Sequence, residues 1–290
     1  MASAKDLRKR IGSVKNTQQI TKAMKMVSAA KLRRAQENIT ALRPYAQEVG
    51  NVIGSLSRAA GADLSHPLLS LRGTAEVKKV LVIVVTSDRG LCGGFNASII
   101  KATQRFLKAN QGKYEKLDFA FIGKKGYEFF RNKKTGKYYN NFFVGLKFQR
   151  ARELAQELID LYLAGEYDEI KFIYNEFKSA ISQKVNVETF LPVQAPEGLA
   201  AGPSGLTIYE PGPREILEKI LPKHFATQVY RIALESLASE HGARMAAMEN
   251  ATKNAGEMIR KITLLYNKTR QAGITKELLE IVSGTEAQKG

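Results

Sequence analysis

The sequence holds one cysteine, Cys92, no tryptophan and three histidines in 290 residues. A single cysteine closes no internal disulfide and builds no cysteine-rich zinc site, and such usage fits a reducing compartment. His66, His224 and His241 lie far apart in the chain, which argues against a histidine-rich metal site. No apolar run approaches the roughly 18 residues that a transmembrane helix needs, and no internal repeat is evident. Acidic residues are scarce: 28 Asp and Glu face 45 Lys and Arg, a formal net charge of +17. That surplus points to an acidic partner, whether nucleic acid, an anionic membrane surface or an acidic protein. With 44% apolar residues the chain can bury a core, as one large domain or two small ones.

The charge is uneven. Residues 1–58 carry 12 basic and three acidic side chains, about half of the whole excess. A basic N-terminus can be a transit peptide, but this one lacks an apolar signal core and carries long-range periodicity. Leu7, Ile11 and Val14 recur in steps of four and three. Ala35, Ile39, Leu42, Ala46, Val49, Ile53 and Leu56 continue the phase, so residues 1–58 read as one coiled-coil helix. Pro44 should bend or weaken it. Between these stretches the seam positions are polar: Gln18, Thr21, Lys25 and Ser28. There the apolar residues Ile20, Met24 and Val27 sit one step earlier, about 100° around the helix. Either the core face is locally wide, or a surface is offered to a third body. Lys5, Arg8, Lys9, Arg10, Lys15, Lys22, Lys25, Lys31, Arg33 and Arg34 form either a solvated exterior or a stripe for phosphates or an acidic loop. No aromatic precedes Tyr45, so the stacking residues of a single-strand binder are missing.

Residues 59–76 read as a connector. Beyond it the texture becomes that of an open α/β sheet. Strands are expected at 80–85, 117–122, 138–144 (weak), 169–174 and 185–191. Helices are expected at 96–110, with Asn96 as N-cap, at 124–132 and at 150–163. Five of the eight prolines fall in residues 192–213, a linker or surface loop. From Arg214 to about Ser283 a heptad track returns through Tyr230, Leu234, Leu237, Met248, Ala251, Ala255, Met258, Ile262, Leu265 and Ala272. It also carries His241, Arg244, Thr269 and Lys276. The division is thus 1–58, 59–213 and 214–290: two terminal helices pairing antiparallel as a rod, with a Rossmann-like α/β domain between them.

Little local chemistry emerges. The turn at 87–94, SDRGLCGG, has glycines at a strand end that could approach a phosphate, but matches neither the dinucleotide fingerprint nor the P-loop. A tight turn packing helix on sheet explains it more simply, and Cys92 reads as a small buried residue. Asp160, Glu166, Asp168 and Glu169 read as solvated charges. Arg244, at a seam position, must either pair across the coil or mark where the seam opens.

Four segments carry a resemblance to a known family. IGSVKNTQQITKAMKMVSAAKL at 11–32, TSDRGLCGGFN at 86–96, SEHGARMAAMENAT at 239–252 and YNKTRQAGITKELLEIVSG at 266–284 resemble, in order, the gamma subunit of bacterial-type F-type ATP synthases. Thr285 stands where the family usually has Ala. The chloroplast members' inserted cysteine pair is absent, so their redox control should be too. The resemblance implies a non-catalytic central rotor shaft, without catalytic residue, cofactor or metal. It would turn inside a ring of alpha and beta subunits. Its α/β domain would contact the epsilon subunit and the c-subunit ring at the cytoplasmic face of the bacterial plasma membrane, with no nucleic acid and no membrane insertion. By motif position, Met24 and Lys25 would meet an acidic loop of beta, with Arg8, Lys9, Arg10 and Lys22 as further acidic-loop contacts. Arg244, Arg270, Gln271, Thr275 and Glu277 would be the other shaft-to-ring contacts. Charge alone would also suit a coiled-coil nucleic-acid binder, and the glycine-rich turn an enzyme.

Overall fold

A computed structural model describes residues 3–59, 67–69, 77–132, 136–180, 182–193, 210 and 212–287. Most of the expected connector at 59–76 and of the proline-rich stretch at 192–213 lies outside them, as does His66. The described chain falls into two compact units, one of residues 3–28 and 245–287, the other of residues 29–244.

Two helices contribute to both units: α1, Ala4–Ala59, and α5, Pro213–Ala287. Ser3 and Asp6 start α1 with a reciprocal capping box. The Ser3 Oγ accepts from the Asp6 N–H at 3.2 Å, and the Asp6 carboxylate accepts from the Ser3 N–H at 3.2 Å. The Ser3 hydroxyl also donates to the Asp6 carboxylate at 2.7 Å, and that bond, with the one from the Ser3 N–H, holds the Asp6 carboxyl below its usual range. The helix runs through Pro44 without ending; the residue sits on its exposed side.

In the first unit the two helices pair antiparallel. The Thr21 and Thr252 hydroxyls share a 2.8 Å bond, Lys25 pairs with Glu249, and Gln18 reaches the Thr252 carbonyl at 3.4 Å. As the number rises on α1 it falls on α5. Leu7, Met248, Ala255 and Ile262 are buried in this seam. One expectation for α5 is corrected here. Met258 and Leu265 are 46% and 51% exposed, while Ile259 and Tyr266 turn inward. Thr252, held by Thr21, takes the seam place that Ala251 was to fill, and Ile259 and Tyr266 likewise stand one residue, about 100°, beyond the expected positions, while Ala255 and Ile262 keep theirs. The track also stops sooner than periodicity suggests. At this register the start of α1 falls level with about residue 270, so Ala272 and Lys276 lie beyond its described residues and are exposed.

The second unit is built on a five-stranded sheet of order β3-β2-β1-β4-β5. Its strands are β1 Lys79–Val85, β2 Lys116–Ile122, β3 Gly136–Tyr139, β4 Glu169–Phe177 and β5 Gln183–Leu191. All pairings are parallel except β4 with β5. β1 is an unbroken β-branched and leucine run because both its faces are covered. Val80, Val82 and Val84 face α2 (Phe95–Ala109) and α3 (Lys124–Phe130). Leu81, Ile83 and Val85 share a core with α4 (Phe148–Leu163), with Val49, Ile53 and Leu56 of α1, and with Leu217, Leu221 and Phe225 of α5. Over 221–244 helix α5 is buried on several sides, so a single heptad face underdescribes it.

Three local expectations also change. Helix α2 starts at Phe95 with Gly94 as N-cap, because Asn96 spends its side chain on the loop behind it. The weak strand at 138–144 shortens to β3 and then turns, its carbonyls at 142 and 144 drawn to the Arg150 guanidinium at 3.2 and 3.3 Å. Asp168 and Glu169 are not merely solvated. Asp168 accepts from the N–H groups of Lys78 and Lys79 at 3.0 and 2.8 Å, and Glu169 pairs with Lys171, both largely buried.

Candidate functional site

Three places hold the residues singled out from sequence. The first is the polar stretch of the seam. Gln18, Thr21, Lys25 and Ser28 do face inward, with Thr21 and Ser28 buried at 8% and 3% exposure. Consequently Ile20 and Val27 are left 60% and 56% exposed, and Met24 is half-buried. The first unit thus presents apolar side chains to solvent where the coil interior is polar. Arg8, Lys9, Arg10 and Lys22 are exposed on the same helix. Lys25 is only partly free: its ammonium is paired with Glu249, and its side chain is 38% exposed.

The second place is the end of α5. Every residue from Arg270 to Thr285 is exposed, including Gln271, Thr275, Glu277 and the family-departing Thr285. Among them Ile274, Leu278, Leu279, Ile281 and Val282 are 49–64% exposed. A helix with apolar residues on show and, among the described residues, no partner beside it is marginal alone in water, and such surface marks an interaction site. Thr275 bonds back to the Gln271 carbonyl at 3.0 Å, so its hydroxyl serves its own helix.

The third place is the loop after β1. The Asn96 side chain closes it: its amide oxygen accepts from the Ser87 N–H at 3.0 Å, and its NH2 reaches the Ser87 Oγ at 2.8 Å and the Cys92 Sγ at 3.3 Å. Asp88 caps α3 by accepting from the Lys124 N–H at 3.0 Å. Cys92 is 2% exposed, with Ser87, Asn96 and the Arg89 carbonyl as its polar neighbours. Among the described residues it hydrogen-bonds to no histidine or carboxylate, the partners a nucleophilic thiol needs.

Ligands of open α/β sheets bind at the carboxyl ends of the strands, where the strand order reverses. Here that point lies between β1 and β4, and α5 occupies it. Ser239 donates to the Asn175 carbonyl at 3.1 Å, Ala243 joins the core under β1, and a Cβ at Gly242 would come within 3.2 Å of Ala180 backbone. The glycine-rich turn itself is held by the Asn96 side chain at the start of α2. Arg244 belongs to this plug. It is 8% exposed, paired with Glu240 at 2.7 Å, and its guanidinium donates to the carbonyls of Arg89 and Gly90. Burial and the neighbouring Arg244 and Lys31 push the His241 imidazole down to about 4, so it stays neutral near pH 7 and its Nδ1 can accept from Arg244. Periodicity could not have placed Arg244 here, since its acceptors lie over 150 residues away in sequence.

The described residues include no helix long and apolar enough to cross a membrane. A profile described as ATP synthase matches residues 3–288. The chain is 55% identical to an ATP synthase gamma chain of Geotalea daltonii and 52% identical to one of a Geobacter species, each over the full length of both chains. Among solved structures it is similar to a chain of the Tetrahymena thermophila mitochondrial ATP synthase central stalk and c-ring. That chain is 26% identical with a TM-score of 0.59, and the match covers 80% of this chain and 99% of that one. A chain of the Euglena gracilis mitochondrial ATP synthase shares the fold at a TM-score of 0.66, with 23% identity, 98% of this chain and 94% of that one covered.

Proposed function

This chain belongs to the ATP synthase gamma-chain family, and from that membership we propose how its parts work. It is a central-stalk rotor subunit of a bacterial F-type ATP synthase, carrying torque between ion-driven rotation and the nucleotide sites of the complex. In our reading the chain itself is non-catalytic. Nucleotide chemistry belongs to a ring of alpha and beta subunits, and the α/β domain meets the epsilon subunit and the c-subunit ring on the cytoplasmic face of the membrane. Segments 1–58 and 214–290 serve as the shaft and 59–213 as the foot.

The exposed apolar end of α5 carries this reading. Arg270 to Thr285 expose Ile274, Leu278, Leu279, Ile281 and Val282 with no cover from the described residues of their own unit. A sleeve formed by other subunits supplies that cover without a fixed bond, as a turning shaft needs. Gln271, Thr275 and Glu277 ride on this segment. Lower on the shaft, Met24 and Lys25 meet an acidic loop of beta, and Arg8, Lys9, Arg10 and Lys22 give it a positive track. The test is reconstitution. The purified chain should hydrolyse no ATP, should co-purify with alpha and beta subunits, and should give them coupled turnover. Turnover by the chain alone, or failure to assemble, would sink the proposal.

A further inference from the structure

Motif position makes Arg244 a shaft-to-ring contact, but its surroundings assign it differently. The guanidinium carries donors only, and each of its N–H groups has an acceptor inside this chain. Nε reaches the Gly90 carbonyl at 3.4 Å. One terminal nitrogen reaches the Gly90 and Arg89 carbonyls at 3.1 and 3.4 Å. The other meets Glu240 Oε1 at 2.7 Å and His241 Nδ1 at 3.4 Å. At 8% exposure it has neither a free donor nor an open approach for a carboxylate of another subunit.

The loop it grips is otherwise a tip of exposed residues. Arg89, Gly90 and Leu91 are exposed, Leu91 to 65%, and Leu91 holds a positive φ of 61°, which a leucine adopts only when its surroundings impose it. Ser87 helps from below by donating to the Arg89 carbonyl at 2.6 Å. We propose that Arg244 is a positioning residue: anchored by Glu240, it clamps the Arg89–Gly90 carbonyls so that Arg89 and Leu91 are presented in one fixed geometry to the rest of the complex. Its effect on coupling then runs through the loop and not through a contact of its own. This rests on the rotor reading for its consequence, but not for the clamp itself.

Cys92 makes the clamp measurable. It is the chain's one cysteine, buried beneath this loop and within 3.9 Å of the Arg89 carbonyl. Its labelling by a maleimide, followed by mass spectrometry on the full chain, reports loop opening. Arg244→Gln should raise the labelling rate roughly tenfold or more, Glu240→Gln should raise it similarly, and the double variant should add little. Arg214→Gln, an exposed arginine elsewhere on α5, is the control for a lost positive charge. Circular dichroism guards against general unfolding, and Arg244→Lys should restore part of the protection. In the assembled complex, Glu240→Gln should reproduce the coupling loss of Arg244→Gln. Unchanged Cys92 labelling in Arg244→Gln overturns the clamp. Faster labelling together with normal coupling in Glu240→Gln but lost coupling in Arg244→Gln overturns the route through the loop. Failure of the unaltered chain to assemble instead strikes the rotor reading, and leaves the labelling result standing.

Discussion

Lys25 has two claimants, and a charge swap separates them. Within the first unit it pairs with Glu249; in the proposed complex it faces an acidic loop. The internal pair is 38% and 52% exposed on its two sides, so its attraction is worth about 0.2–1 kcal/mol. Lys25→Glu removes that attraction and sets two carboxylates together. The helix pair should lose about 1 kcal/mol at low salt and less at physiological ionic strength, because exposed charges are screened. A loss of that size leaves the seam of Leu7, Met248, Ala255 and Ile262 intact, so the complex should still assemble. Facing a stator loop, however, the reversed charge turns attraction into repulsion at each passage. The discriminating variant is Lys25→Glu with Glu249→Lys, which rebuilds the internal pair with reversed polarity. ATP-driven ion pumping per ATP hydrolysed, in vesicles, should stay low in both the single and the double variant. If the double variant recovers full pumping, Lys25 serves only Glu249 and the proposed loop contact is wrong.

Further predictions follow from the second unit. Arg231 joins Glu188, Glu235 and the Tyr174 hydroxyl in a largely buried network; Arg231→Met strands both carboxylates and should cost about 3–5 kcal/mol in urea unfolding. Leu158 is fully buried between α4 and the sheet, and Leu158→Ala should cost about 2–5 kcal/mol by the same assay. Gly242→Val drives a side chain into the Ala180 backbone and should destabilise by about 1–3 kcal/mol, read as a lower Tm. Burial against Arg231 pushes His224 down to about 4, against 6.5 unperturbed. The unfolded chain therefore binds the extra proton between those values, so this contribution is whole above pH 6.5 and is lost as pH falls toward 4. Stability against pH should be flatter over that window in His224→Gln than in the unaltered chain; parallel curves would refute the assignment.

Much of the fold was legible in sequence for physical reasons. β1 reads as a strand because both its faces are apolar, and the heptad of α1 survives in the observed burial at Leu7, Ala35, Ile39, Val49, Ile53 and Leu56. The polar turn at Gln18, Thr21, Lys25 and Ser28 was legible too, since a polar seam position forces apolar neighbours outward. The seam of α5 was legible in part: Met248, Ala255 and Ile262 are buried as expected, but its small residues leave two faces equally plausible for the alternate positions until Thr252 bonds Thr21. The fate of Arg244 was not. Periodicity reports which face of a helix is turned inward, and is silent about a loop far off in sequence that supplies carbonyls to that face. Asn96 misled for a related reason: an N-cap residue type beside a helix start serves the loop when Gly94 can begin the helix without it.

The central claim is that this chain turns inside its complex. Cys92 is buried, so a Lys101→Cys variant, placed on an exposed position of α2, gives one reactive thiol for a bead. With the alpha and beta subunits fixed to glass, ATP should drive sustained rotation of the bead in one direction, stopping when ATP is withdrawn. Steady ATP hydrolysis by the same complexes with a motionless bead, its tether intact, would contradict the account.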